Sequence, residues 1–164
     1  MSERIETAAL RDFSVSLCRA AGLSADDAAL LTDSILFAEC RGVTSHGLLR
    51  LPQYIARLRS GATASNVSMP FTMESGGTAR LDAQNGLGQL AGRKASDKAE
   101  ELAAEYGVSF VAVANSNHFG TGAWYAIPAA RRGFFAFNIS SAASAMAPHG
   151  AAQPLLGTDP VGLA

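Results

Sequence analysis

The run Val108-Ser109-Phe110-Val111-Ala112-Val113-Ala114 limits the fold more than any other stretch of this chain. It is apolar nearly throughout, carries three valines and is too short for an ordinary helix, so it reads as a strand buried on both faces. It stops at Asn115, and the polar sequence Asn115-Ser116-Asn117-His118-Phe119-Gly120 follows at once. Ala123 to Arg132 then has the composition of a helix, with Pro128 as a kink or break, and Phe134 to Ile139 reads as a further strand. Strand, polar loop, helix, strand is the order of an α/β layer, whose sites gather where loops leave the strand ends.

The residues ahead of this layer are helical. Ile5, Ala9, Leu10, Phe13, Leu17 and Ala21 recur at helical spacing, and Gly22 stands where a left-handed cap belongs. Ser24 followed by Asp26 and Asp27 marks a second helix start, continued by Leu30, Leu31, Ile35 and Ala38 to about Cys40. Pro52 is placed to open a third helix through Arg59, closed by Ser60-Gly61. Residues 62–68 read as a connector, and Phe71–Glu74 and Thr78–Asp82 as a hairpin around Ser75-Gly76-Gly77. A helix through Leu90, Ala95, Ala99 and Leu102 ends near Gly107. The expected organisation is a helical segment over residues 1–68 and an α/β segment over 69–164.

Two polar loops interrupt these patterns. Arg41-Gly42-Val43-Thr44-Ser45-His46-Gly47-Leu48-Leu49-Arg50 is one, and Asn115 to Gly120 is the other. His46 and Arg50 are four residues apart, so one backbone turn puts imidazole and guanidinium on one face. A histidine that exchanges a proton near neutral pH, beside an arginine that can grip a carboxylate with two parallel hydrogen bonds, suits the reduction of a 2-oxo acid. His118 follows a strand, where α/β sites are built. His149, between Pro148 and Gly150, reads as a loop residue. Three histidines without close ligand spacing or a carboxylate cluster do not make a zinc site. Gly86-Leu87-Gly88 with Gly92 invites a dinucleotide fingerprint, but the third glycine falls one residue late and the next strand ends at Asn115 instead of an acid. A tight turn with close helix packing is the reading these glycines support.

Thirteen basic against fourteen acidic residues give no electrostatic case for nucleic acid or an acidic membrane surface. No apolar run is long enough to span a bilayer, and the charged start Met1 to Glu6 lacks a signal-peptide core, so a cytoplasmic location is expected. Cys18 and Cys40 are read as free thiols. Pro154 to Ala164 is apolar and turn-rich, and is expected to continue into a larger fold.

With these residues in view, the chain resembles the type-2 malate/L-lactate dehydrogenase family. The resemblance rests on Arg41 to Gly47, Arg50 with Leu51-Pro52-Gln53-Tyr54, Asn85-Gly86-Leu87-Gly88, Asn115 to Gly120 and Gly157-Thr158-Asp159-Pro160. It implies a mixed, mostly antiparallel nicotinamide-binding sheet flanked by helices, distinct from a standard Rossmann fold, in a homodimer. It also implies NAD or NADP as cofactor and a small 2-hydroxy or 2-oxo acid as substrate. Ser45, His46, Arg50 and His118 become the catalytic candidates, with Arg50 on the carboxylate and His46, oriented by Ser45, as proton donor; the converse assignment of the two histidines stays open. His118, Gly120, Ser140, Thr158, Asp159 and Pro160 become the cofactor-side candidates. Asp159 departs from the family's usual asparagine, and Ala151 from a frequent second glycine. Family members are roughly twice this long, so little activity is expected of the 164 residues alone. The alternative is a non-catalytic chain serving as a dimerisation or interaction module.

Overall fold

The computed structural model describes residues 4–164, which leaves Met1 to Glu3 of the charged N-terminus outside the described residues. It divides into two compact units, one ending at Thr121 and one spanning Gly122–Ala164.

In the first unit, α1 (Thr7–Ala20), α2 (Ala25–Glu39) and α3 (Leu51–Arg59) form a helical layer. Gly22 adopts φ +101° at the end of α1, where a side chain would be strained. Ser24 caps α2 by accepting a hydrogen bond from Asp27 N at 3.1 Å, and Pro52 sits in the first turn of α3. Cys18, Leu31, Ile35, Tyr54 and Leu58 join Leu87 in one core. The stripe expected on α1 is rotated from the one observed. Ser14 and Cys18 are fully buried, while Phe13 is 60% exposed. Small side chains let α1 and α2 approach closely, with Cys18 Sγ 3.9 Å from Thr32 Oγ1, and counting large apolar residues alone misses such a face.

The α/β layer follows. Strands β1 (Phe71–Ser75) and β2 (Thr78–Asp82) pair antiparallel, and helix α4 (Gly88–Tyr106) crosses over to β3 (Phe110–Ala114), which pairs parallel to β2. The result is a small mixed sheet in the order β1-β2-β3. Met69, Leu81, Ala83, Ala91 and Ala95 form its core against α4. Gly107, with φ +82°, ends α4. One expectation fails here: the strand starts only at Phe110, and β3 is not buried on both faces, since Phe110 and Val113 are 64% and 38% exposed. Among the described residues β3 pairs only with β2, and α4 covers one face of the sheet.

The second unit holds α5 (Ala123–Arg131), with Pro128 inside it, and an antiparallel ladder of β4 (Phe137–Ile139) and β5 (Val161–Leu163). One face packs on α5 through Asn138, whose Nδ2 donates to Gly122 O at 3.1 Å, and Gly162, where an added Cβ would lie 3.0 Å from Gly122 Cα. Phe137, Ile139, Val161 and Leu163 alternate onto the other face and are exposed. Among the described residues no helix is long and apolar enough to cross a membrane.

Candidate active site

The first histidine loop is a chain reversal held by its neighbours. After α2, Thr44–His46 and Leu48–Arg50 form two 3-10 turns. Glu39 anchors the reversal by accepting a hydrogen bond from Leu48 N at 2.8 Å, so close that a Cβ on Gly47 would collide with its Oε2. Ser45 Oγ lies 3.0 Å from His46 Nδ1. Arg50 is braced rather than free to swing: its Nε donates to Ser45 O at 2.7 Å and its Nη1 to Gln53 Oε1 at 3.0 Å. Those bonds use two of the five guanidinium N–H groups, and the others have no partner among the described residues.

The second loop leaves the C-terminal ends of the parallel strands. Its backbone runs beside the loop after β2, with Asn85 N donating to Asn115 O at 2.8 Å. Asn117 fastens the two together, its Nδ2 donating to Asn85 O, Asn85 Oδ1 and Gly86 O, each at 3.0 Å. Its Oδ1 accepts from Arg57 Nη2 at 2.9 Å. Gly88 explains the fit at the start of α4. A Cβ there would strike the carbonyl oxygens of Asn117 and His118 and come within 2.7 Å of His118 C. Gly120, buried with φ +81°, turns the loop past Ser34 and Gln89.

These supports bring the two histidines together. The His46 and His118 rings stack with centroids 5.3 Å apart and planes inclined by 26°. Tyr54, 4% exposed, places its hydroxyl 2.6 Å from His118 Nδ1, and Gln89 Nε2 donates to that hydroxyl at 2.7 Å. Arg50, which precedes α3 directly, and Tyr54 and Arg57 within it follow one another at helical spacing. Burial lowers the pKa of His46, and the positive charge of Arg50 adds to it. His118 is exposed on one side. The protein packed around it nonetheless disfavours its charged form, as do His46 and Arg50, and its pKa falls to about 4. Burial raises Tyr54 to about 12, with the Gln89 bond and the Arg50 charge opposing, so the phenol keeps its proton.

The other predicted residues lie in the second unit. Ser140 N donates to Pro160 O at 3.3 Å, continuing the β4-β5 ladder by one step. Asp159, with φ +36°, accepts from Ala142 N at 2.8 Å through Oδ1. An asparagine oxygen could accept the same bond, so the departure at Asp159 leaves this contact intact. Thr158 is exposed beside Gly157, where a Cβ would lie 3.0 Å from Ala142 C and 2.6 Å from Asp159 Oδ1. His149 is exposed.

The family model for malate/L-lactate dehydrogenase matches residues 5–164. The chain belongs to that family. Among proteins similar to this malate/L-lactate dehydrogenase family member, a malate dehydrogenase of Pyrococcus abyssi is 35% identical over 161 residues, covering 98% of this chain and 44% of the relative. An L-sulfolactate dehydrogenase of Methanocaldococcus jannaschii is 37% identical over 143 residues, 87% of this chain and 42% of the relative. The solved structure of malate dehydrogenase from Pyrococcus horikoshii OT3 superposes with a TM-score of 0.94 at 31% identity, covering 98% of this chain and 46% of that one. The chain thus spans less than half the length of these relatives.

A nicotinamide cofactor is implied by this family, and the start of α4 tests where it would fit. The carbonyls of Asn117 and His118 cover Gly88, where a classical fingerprint would present N–H groups to a pyrophosphate. The glycines therefore serve packing. Sequence reasoning gave no role to Glu39, Tyr54, Arg57, Gln89 or Asn117. The stripe Arg50, Tyr54, Arg57 was the available signal for two of them; nothing local marked Gln89.

Proposed function

We propose that this chain carries the carboxylate-binding and proton-transfer part of a nicotinamide-dependent oxidoreductase acting between small 2-hydroxy and 2-oxo acids. In this reading residues 1–68 serve the substrate and a homodimer interface, and 69–164 begin a nicotinamide-binding sheet that is not of the standard Rossmann type. The observation that carries the reading is the gathering of His46, His118 and a braced Arg50 at one place.

Arg50 would hold the substrate carboxylate through its remaining N–H groups, with the bidentate geometry that suits guanidinium. His46, fixed at Nδ1 by Ser45, would move the proton at the substrate oxygen through Nε2. In the free protein His46 is biased towards neutral, the state a base needs to take the hydroxyl proton of a 2-hydroxy acid. A carboxylate on Arg50 cancels the charge that repels His46⁺, so substrate binding favours the protonated form that reduction of a 2-oxo acid requires. Bound NAD or NADP would supply the hydride chemistry, and His118, Gly120, Ser140, Thr158, Asp159 and Pro160 are the residues proposed to line its side. The dehydrogenase names of the relatives support the substrate class. The rival reading, an interaction module without catalysis, draws on the uncovered face of Phe137, Ile139, Val161 and Leu163.

The test is a titration of the protein with L-malate and with oxamate, following the histidine ring signals by NMR. The expected result is a saturable upward shift of the His46 pKa that disappears in Arg50→Ala. A His46 signal that ignores both ligands in the wild type would remove the reading.

A further inference from the structure

The hydroxyl of Tyr54 has one hydrogen to give, and two neighbours, buried Gln89 and the exposed His118, compete for it. Its oxygen is 2.6 Å from His118 Nδ1 and 2.7 Å from the Gln89 side-chain amide. Only two arrangements satisfy all three groups at once. In one, the Gln89 amide donates to the Tyr54 oxygen, Tyr54 donates to His118 Nδ1, and the imidazole carries its hydrogen on Nε2. In the other, the amide is turned over, Tyr54 donates to the Gln89 oxygen, and His118 donates from Nδ1, leaving Nε2 bare.

The orientation of the buried Gln89 amide separates them. Its side chain is 1% exposed, so whichever amide atom does not face Tyr54 goes without water. The first arrangement leaves Oε1 without a partner, as found. In the structure the amide nitrogen is the atom that faces Tyr54, which is the orientation of the first arrangement. The backbone holds the geometry in place: Gly88, the residue before Gln89, lies directly beneath the carbonyls of Asn117 and His118. Gln89 and His118 therefore cannot drift apart without lifting the loop from α4.

We propose that Gln89 is a positioning residue which, through Tyr54, fixes His118 in the tautomer with its hydrogen on Nε2, so that His118 meets a ligand as a hydrogen-bond donor and leaves proton transfer to His46. The tautomer assignment stands on these two hydrogen bonds alone. The division of labour between the histidines rests on the oxidoreductase reading above.

Long-range 1H–15N spectra of the chain labelled in its histidines report the tautomer of each ring directly. His118 is expected to show the Nε2–H form alone. Gln89→Met keeps the volume but removes the amide donor, which frees Tyr54 to turn and should replace the single His118 tautomer by a mixture, with His46 unchanged. Tyr54→Phe should give the same loss by a second route, and serves if the Gln89 variant does not fold. A wild-type His118 carrying its hydrogen on Nδ1 overturns the proposal, and so does a folded variant of either kind in which His118 keeps a pure Nε2–H form. No substrate or cofactor enters these spectra, so their failure and the failure of the oxidoreductase reading are separately visible.

Discussion

The loops that carry His46 and His118 look alike in sequence, each a histidine among small polar residues and glycines, yet they are held in different ways. The Arg41 to Arg50 loop is exposed over most of its length and is tied by side chains: Glu39 to Leu48 N, Arg50 to Ser45 O. The Asn115 to Gly120 loop adds backbone packed on backbone, with Gly88 beneath its carbonyls and Asn85 N bonded to Asn115 O, to the side-chain bridge of Asn117 onto the loop after β2. The difference is one of stiffness. A loop anchored by flexible side chains can adjust to a ligand, whereas one seated on a helix start cannot move without disturbing α4. A proton-transfer group is suited to the first and an orienting group to the second, which is how the proposed roles divide.

The largest expected effect tests that division. In the catalytically active form of the protein, His46→Gln should lower kcat by roughly a hundredfold to ten-thousandfold, the usual worth of a general acid or base. The wild type should show kcat/KM for 2-hydroxy acid oxidation rising with pH through a value below 6.5, because the base must be neutral and its pKa is lowered. His46→Gln should lose that limb, while His118→Gln should keep it and instead raise KM or the Kd for cofactor. If His118→Gln alone loses the limb, the roles are reversed. Next in size, Arg50→Lys keeps the charge but not the fork, and kcat/KM should fall on the order of a hundredfold, roughly 3 kcal/mol; unchanged kinetics would make Arg50 a bystander.

Two glycine substitutions sharpen the contrast in stiffness. Gly88→Ala drives a Cβ into backbone carbonyls and should cost about 2–3 kcal/mol or more in stability, read as a fall in denaturation midpoint. Gly47→Ala meets chiefly the movable end of Glu39, with Glu39 Cα at 3.1 Å, and should cost about 1 kcal/mol. Equal losses would mean that the two loops are equally rigid. The smallest effect concerns pH. With His118 near 4 in the folded chain and near 6.5 when unfolded, the unfolded chain binds more protons between those values, so stability should fall as pH drops from 6.5 towards 4. His118→Gln should flatten this slope in Tm measurements; an identical slope would show that His118 is not the group responsible.

Much of the secondary structure was legible from the residues. The Ser24 cap, Pro52 in the first turn of α3, the left-handed glycines at 22 and 107 and the turn at Gly76-Gly77 act within a few residues of themselves, and each stands where the pattern put it. Strand β5 was not legible. Three residues of Val161–Leu163 have no periodicity of their own and become a strand only by pairing with β4. The exposed side chains of β3 are a similar case, because an apolar run reports what a residue prefers to touch and says nothing of whether a second layer is there to touch it.

For the site, sequence alone determined the residue types: two histidines in polar loops, an arginine one turn after the first, and glycines where backbones must pass closely. Tertiary structure alone decided that His46 stacks on His118, that Tyr54, itself bonded by Gln89, reaches Nδ1 of that ring, and that Glu39 braces the other loop. The physical reason is range. Turns and caps are settled by hydrogen bonds between near neighbours in the chain, whereas a histidine's protonation and tautomer depend on which partners surround it, and here those partners come from α3, α4 and the reversal after α2.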